Sequence, residues 1–204
     1  MVSKFFIFFL LMLSIQSFPQ QDMKVLSSDR NSILIEFTPS YTDTLTVSIN
    51  GQNYLKINFQ YGYIPNASSN WGEPMIPQQI INVGVPAETG NTVQIISSSF
   101  ETINGNLAPV PRPVRDGKVT KQVYEIGSKY NNYRSSNNLV SFGDYGLIRS
   151  MPVQSFVISP VVFSPGQGSI KIYTKILFRI NFSDRQTIAQ KPAGEFLKDV
   201  VLNY

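Results

Sequence analysis

Side-chain nucleophilic catalysis needs a base beside the nucleophile, and this chain of 204 residues has neither histidine nor cysteine. A Ser-His-Asp triad, a Cys-His dyad and a metal site built from Cys or His are therefore excluded. Carboxylates remain, but the 13 Asp and Glu are scattered. No two stand as an obvious acid/base pair. A glycosidase needs two carboxylates about 5–10 Å apart in space, and nothing in the sequence singles out such a pair, so a carboxylate enzyme ranks last. Neither G-x-x-x-x-G-K nor G-x-G-x-x-G occurs, so no phosphate loop is present. Asp144, in Gly143-Asp144-Tyr145-Gly146, is one acid among glycines, which reads as a turn before a calcium site. No cofactor and no metal are expected.

The charges that do cluster are bases. From Asn31 to Pro111 the acids Glu36, Asp43, Glu73, Glu88 and Glu101 face Lys56 alone. From Arg112 to Arg134 the balance reverses: Arg112, Arg115, Lys118, Lys121, Lys129 and Arg134 are opposed by Asp116 and Glu125. Pro109, Pro111 and Pro113 lead this stretch. Proline removes a backbone donor and locks φ, so the segment must be extended and excluded from the interior of a sheet. Polyproline-like geometry is the natural expectation. Two readings stand side by side: a loop kept soluble by its charge, or a contact segment for an acidic partner or pocket. Nucleic acid is a poor partner, because the net charge is only +4 and no binding motif appears. The aromatic-rich stretch with Phe59, Tyr61, Tyr63 and Trp71 could stack on sugar rings. A plug at the end of a sandwich is the favoured reading.

The elements that position these residues read as strands. The chain is 42% hydrophobic and 12% aromatic, with 15% charged residues against about 25% in average proteins, the composition of one well-cored domain. Residues 31–38 alternate, as do 44–50. The latter run meets Asn50-Gly51 and then 52–59, the strongest short-range hairpin signal. Strands are expected at 78–85, 92–98 and 121–126, and within 147–163. Residues 169–182 are the clearest strand: Ile170, Ile172, Ile176, Phe178, Ile180 and Phe182 share one face, with period two over the run. Residues 194–203 form the only helix candidate. The expected fold is all-β, a β-sandwich or barrel-like domain with a Pro-rich extended loop and a short C-terminal helix.

The N-terminus follows the order of a secretory signal peptide: Lys4, then the apolar run Phe5–Leu13, then polar residues to Gln21. A spanning helix needs about 20 apolar residues, so a stable membrane anchor is not expected. The expected organisation is a signal peptide over 1–20, a β-rich domain over 21–190 and a linker over 191–204. An exported domain of this size without cysteine fits a bacterial envelope or secreted protein.

Two segments carry a family resemblance. Gly72-Glu73-Pro74-Met75-Ile76-Pro77 is followed by the apolar run Ile80 to Pro86. Tyr145-Gly146-Leu147-Ile148-Arg149-Ser150 is followed by Val161-Val162-Phe163-Ser164-Pro165 and by Ile170-Lys171-Ile172-Tyr173. In order and spacing these resemble the N-terminal propeptide of gingipain-like cysteine peptidases (family C25) of Bacteroidetes-type bacteria. That family usually has Arg-Gly where this chain has Arg149-Ser150. The resemblance covers roughly residues 70–185. It implies a β-rich prodomain that blocks the active-site cleft, assists folding of the peptidase domain and is cut away on maturation. It also implies that the catalytic Cys and His lie in the following domain, with export by the type IX route. On this reading the chain is a fragment, or a detached gene end, of a longer precursor. The implied partner is the peptidase domain of the same precursor, and the implied contact is a basic side chain in an acidic specificity pocket. Arg115 and Arg112 are the candidates, with Lys118 and Lys121 supporting them. Arg115 is preferred because it precedes Asp116-Gly117 at a turn. The competing reading is a free-standing envelope module, adhesin-like or carbohydrate-binding.

Overall fold

The computed structural model describes residues 22–60, 63–65, 70–135, 138–148, 151–183 and 200–203. Its strands, in chain order, are β1 (Met23–Ser28), β2 (Ser32–Phe37), β3 (Tyr41–Ile49), β4 (Gln52–Phe59), β5 (Ile64–Pro65), β6 (Pro77–Gly84), β7 (Thr92–Asn104), β8 (Arg112–Asp116), β9 (Val119–Val123), β10 (Val140–Ile148), β11 (Met151–Ile158), β12 (Val161–Ser164) and β13 (Ser169–Asn181). A 3-10 turn over Pro165–Gln167 joins β12 to β13.

β13 organises the first sheet. One of its edges pairs with β7 along the whole strand, from Ser169↔Asn104 to Asn181↔Thr92. The other edge is shared: β12 takes its first residues and β2 its last, with β1 outside β2. The second sheet runs β10-β11-β6-β5, antiparallel throughout. Period-two alternation decides what lies between the two sheets. Ile33, Ile35 and Phe37 of β2 and Ile176, Phe178 and Ile180 of β13 are fully buried, packed with Ile81 and Val83 of β6 and Phe156 and Ile158 of β11. Two sheets sharing one apolar layer make a sandwich, which settles the choice between sandwich and barrel. Each such side chain contributes about 1.5–3 kcal/mol on burial.

A second core is built on the first residues of β13. The β3–β4 hairpin turns through Asn50 (φ 50°) and Gly51 (φ 79°), the paired left-handed conformation that an Asn-Gly turn supplies. Its Ile49, Tyr54 and Ile57 pack against Phe163 of β12 and Ile170 and Ile172 of β13. Leu55 bonds the chain on both sides of Leu107: its N–H donates to the Asn106 carbonyl at 2.7 Å, and its carbonyl accepts from Ala108 N–H at 2.8 Å.

Several expectations need correction. β1 has no clear alternation and was not foreseen. It exists because its backbone completes the edge of β2, with a turn in which Asp29 accepts from Asn31 N–H and Ser32 N–H. The region 147–163 holds parts of three strands, and β10 begins earlier, at Val140. Asp144 lies at a bulge in β10 whose carbonyls at Gly143 and Asp144 accept from the Gln154 amide. Among the described residues no group of His, Cys, Asp and Glu could hold a metal. Of the expected C-terminal helix, residues 194–199 lie outside the described residues, and 200–203 are not helical. Instead this segment lies along β6. Leu202 N–H donates to the Asn82 carbonyl at 3.0 Å, the Asn203 amide bonds both backbone groups of Gly84, and Val201 is buried with Met151 and Val153. Residues 1–20, the expected signal peptide, lie outside the described residues. Among the described residues no helix is long and apolar enough to cross a membrane.

Candidate functional site

The proline-led basic stretch is the site the sequence singled out. It is extended, as expected, but it is not a free loop. Pro109 bridges to Pro74, and Val110 exchanges backbone bonds with its neighbours across the gap: its N–H donates to the Glu73 carbonyl at 2.8 Å and its carbonyl accepts from Gly72 N–H at 2.9 Å. Arg112–Asp116 then forms β8, which pairs with β9 in a separate two-stranded ribbon. Pro113 is tolerated because a two-stranded ribbon leaves each strand a free edge, where a missing donor costs nothing.

Gly117 and Lys118 turn the ribbon. Gly117 has φ 61°, the positive value that the first position of a II′ turn needs. At the other end the return leg is pinned: Gly127 N–H donates to the Gly72 carbonyl at 3.0 Å. Gly72 has φ 83°, and a Cβ there would sit 2.6 Å from the Gly127 nitrogen, so only glycine allows the two legs to close at the root.

Pairing register divides the ribbon's side chains between two faces. Arg112↔Val123, Val114↔Lys121 and Asp116↔Val119 share one face; Pro113↔Gln122 and Arg115↔Thr120 share the other. All four candidates, Arg112, Arg115, Lys118 and Lys121, thus lie on one protrusion, but Arg112 and Arg115 point to opposite sides. Their charges also differ in state. Arg112 pairs with Glu125 at 3.5 Å and Lys121 with Asp116 at 2.5 Å. Such exposed pairs are worth about 0–1 kcal/mol, yet each satisfies a charge locally. No salt bridge among the described residues involves Arg115 or Lys118. Arg115 is exposed, and its Nε donates to the Gly117 carbonyl at 3.2 Å, which props the side chain at the ribbon's end. The geometry is that of a charged finger on a braced root, with one unpaired guanidinium near its tip.

The aromatic group divides. Phe59 and Tyr63 stack with centroids 4.3 Å apart, and Tyr63 packs against Phe37 of the main core, as a plug should. Tyr61 lies outside the described residues. Trp71 is no plug: it is 60% exposed beside the ribbon's root.

The family model Propeptide_C25 matches residues 15–203. The chain belongs to the C25 propeptide family. As a C25 propeptide it is the non-catalytic part of a peptidase precursor, in keeping with its lack of cysteine and histidine. The fold agrees. A structure described as the complex of Porphyromonas gingivalis RgpB pro- and mature domains has a chain that superposes with a TM-score of 0.75 at 18% identity, covering 91% of this chain and 99% of that one. A structure on the zymogenic latency of gingipain K from Porphyromonas gingivalis superposes with a TM-score of 0.59 at 14% identity, covering 79% and 92%. A search of curated proteins gives no match.

Within this C25 propeptide, two features of the finger escaped the sequence reading. One is that the basic segment is a hairpin at all. Asp116-Gly117 between Val114 and Val119 is a turn signal, but three prolines upstream argued for a free extended segment. The other is the set of exposed apolar residues beside the charges, Trp71 and Val119, each 60% exposed. No local signal says which aromatic of a loop stays outside.

Proposed function

We propose that this C25 propeptide is the N-terminal inhibitor and folding aid of a secreted gingipain-like cysteine endopeptidase, removed when the zymogen matures. Its partner is the peptidase domain of the same precursor. Residues 1–20 are its export signal, 21–190 its inhibitory domain and 191–204 the connection onward, with export by the type IX route. The β8–β9 ribbon lies over the active-site cleft with Arg115 in the specificity pocket; Arg112 is the alternative, and Lys118 and Lys121 add to the positive field.

One observation carries the choice of Arg115: it is the arginine of the finger whose guanidinium has no carboxylate partner among the described residues, whereas Arg112 is engaged by Glu125. An acidic pocket gains more from an unpaired cation than from one already matched. Propping by the Gly117 carbonyl and the short ribbon also lowers the ordering cost of insertion.

The measurement is an inhibition constant for the wild type, Arg112→Ala and Arg115→Ala against the peptidase domain of the same precursor, supplied in trans. Truncating one partner of a buried charged contact costs roughly 2–5 kcal/mol, and each 1.4 kcal/mol is about tenfold. Arg115→Ala is therefore expected to weaken inhibition about thirty-fold or more, with thermal stability unchanged. Wild-type inhibition by both variants would reduce the ribbon to a solvated surface feature. No inhibition by the wild type would move the envelope-module reading ahead.

A further inference from the structure

The ribbon's two faces differ in more than the direction of their arginines. On the face away from Arg115 stand Val114, Val119 and Val123, in register from root to tip. Val119 is 60% exposed, and Val114 and Val123 are half-buried. The charges on this face are already matched, Arg112 with Glu125 and Lys121 with Asp116. At the root Trp71 continues the line. It borders a shallow cavity of about 240 Å³ together with Arg112, Val123 and Glu125, which places it on this same face. At about 3.3 Å per residue the four steps of β8 spread the three valines, each opposite one of the matched charges, over some 13 Å that leads to the chain's single tryptophan.

Trp71 is also held in place. Gly72, next to it, is buried, donates to Val110 and accepts from Gly127. On the other side Asn70 closes a turn with Glu73: its carbonyl accepts from Glu73 N–H at 3.1 Å, and its amide donates to Glu73 Oε1 at 3.0 Å. A solvent-facing indole on a braced backbone loses less entropy on docking than one on a free loop, and tryptophan is among the residue types enriched in the few that dominate interface energies.

We propose that Trp71 and the Val114–Val119–Val123 face form the anchoring surface by which this propeptide seats on the peptidase domain of its own precursor, the opposite face presenting Arg115 to the pocket. This rests on the inhibitory reading above and adds a division of labour to it. The apolar face supplies residence time and sets the ribbon's orientation. The Arg115 face supplies specificity. The ribbon itself names the occupant: a surface continuous with the inhibitory finger is covered when the finger is in the cleft.

The single tryptophan makes the test direct. The propeptide is labelled with 5-fluorotryptophan and mixed with the peptidase domain, its catalytic cysteine replaced to prevent digestion. The one ¹⁹F resonance should move on binding and lose its H₂O/D₂O shift as the indole leaves water. Inhibition constants are measured in parallel against the active peptidase domain. Trp71→Ala should weaken inhibition about tenfold or more, mostly through faster dissociation, with Trp71→Phe intermediate and Val119→Ser weakened in the same direction. Circular dichroism and thermal melting of each variant guard against loss of fold. The proposal is overturned if the ¹⁹F signal and the Trp71→Ala constant both stay at their free and wild-type values while Arg115→Ala still loses inhibition; the inhibitory reading then survives alone. A wild type that does not bind removes both. A ¹⁹F shift with soluble glycans but none with the peptidase also overturns it, in favour of sugar stacking.

Discussion

Asp22 is 2% exposed and carries a carboxylate into the edge of the sandwich. It accepts from Ser40 Oγ at 2.6 Å, Ser40 N–H at 3.2 Å and Tyr63 O–H at 2.8 Å. The charge is tolerated because three donors replace its water. The same contact acts on Tyr63: burial, and then the hydrogen bond to Asp22, hold its phenol far above the ordinary tyrosine value. Burial likewise raises Tyr130, Tyr133 and Tyr173. The consequence for stability has a definite sign. Unfolded tyrosines ionise near pH 10, whereas these in the folded chain do so higher. Above pH 10 the unfolded chain binds fewer protons, so stability is full below that pH and falls as pH rises through it. Urea unfolding between pH 8 and 11.5 should show this fall. Tyr63→Phe should cost about 1.5–3 kcal/mol at pH 8, the worth of a hydrogen bond to a charged group, and should make the alkaline fall shallower. An unchanged slope would mean that Tyr63 titrates alike in both states.

Among the elements, β13 carries the most. It pairs with β7, β2 and β12, and its inward face enters both large cores. Adjacent residues of this strand therefore differ sharply in consequence. Ile176 is fully buried between the sheets; Lys175, one step along, is exposed and pairs with Glu36 at 2.6 Å. Truncating a buried isoleucine to alanine costs about 2–5 kcal/mol, whereas an exposed ion pair is worth about 0–1 kcal/mol. Ile176→Ala should lower the melting temperature by several degrees or prevent folding, and Lys175→Ala should leave it nearly unchanged. Comparable losses from the two would contradict the face assignment.

In the whole molecule, the β8–β9 ribbon and the folded body are separable. Among the described residues the ribbon pairs with no other sheet, and none of its residues belongs to the buried set of any core. Its root is held by backbone bonds at Gly72, Val110 and Gly127, which remain if the ribbon is shortened. Replacing residues 113–122 with a short Gly-Ser turn should leave the melting temperature within a few degrees of the wild type, since surface changes away from packed features seldom exceed about 0.5 kcal/mol. Inhibition of the peptidase domain should be lost. A collapse of stability on this replacement would show that the finger is part of the body's own scaffold.

Much of this propeptide is written locally. The zero counts of histidine and cysteine exclude a Ser-His-Asp triad, a Cys-His dyad and a Cys- or His-built metal site without any structure. Period-two alternation picks out β2, β13 and the β3–β4 hairpin, because a half-buried strand must alternate wherever its partner lies. Net charge locates the basic segment by counting alone. What the sequence does not carry is which edges meet. β1 owes its existence to the free edge of β2, and Val200–Asn203 leaves its helical pattern for the backbone of β6. Both are settled by distant partners that satisfy backbone groups. The same holds at the site. Arg112 and Arg115 are near-equivalent as neighbours in a string of bases; a two-stranded register three residues apart puts them on opposite faces, and a glutamate ten residues downstream of Arg115 engages Arg112 alone. Trp71 stays in water beside the root that Gly72 and Gly127 close. Pairing across space, not residue type, sets Arg115 on one face of the ribbon and Arg112 with the three valines on the other.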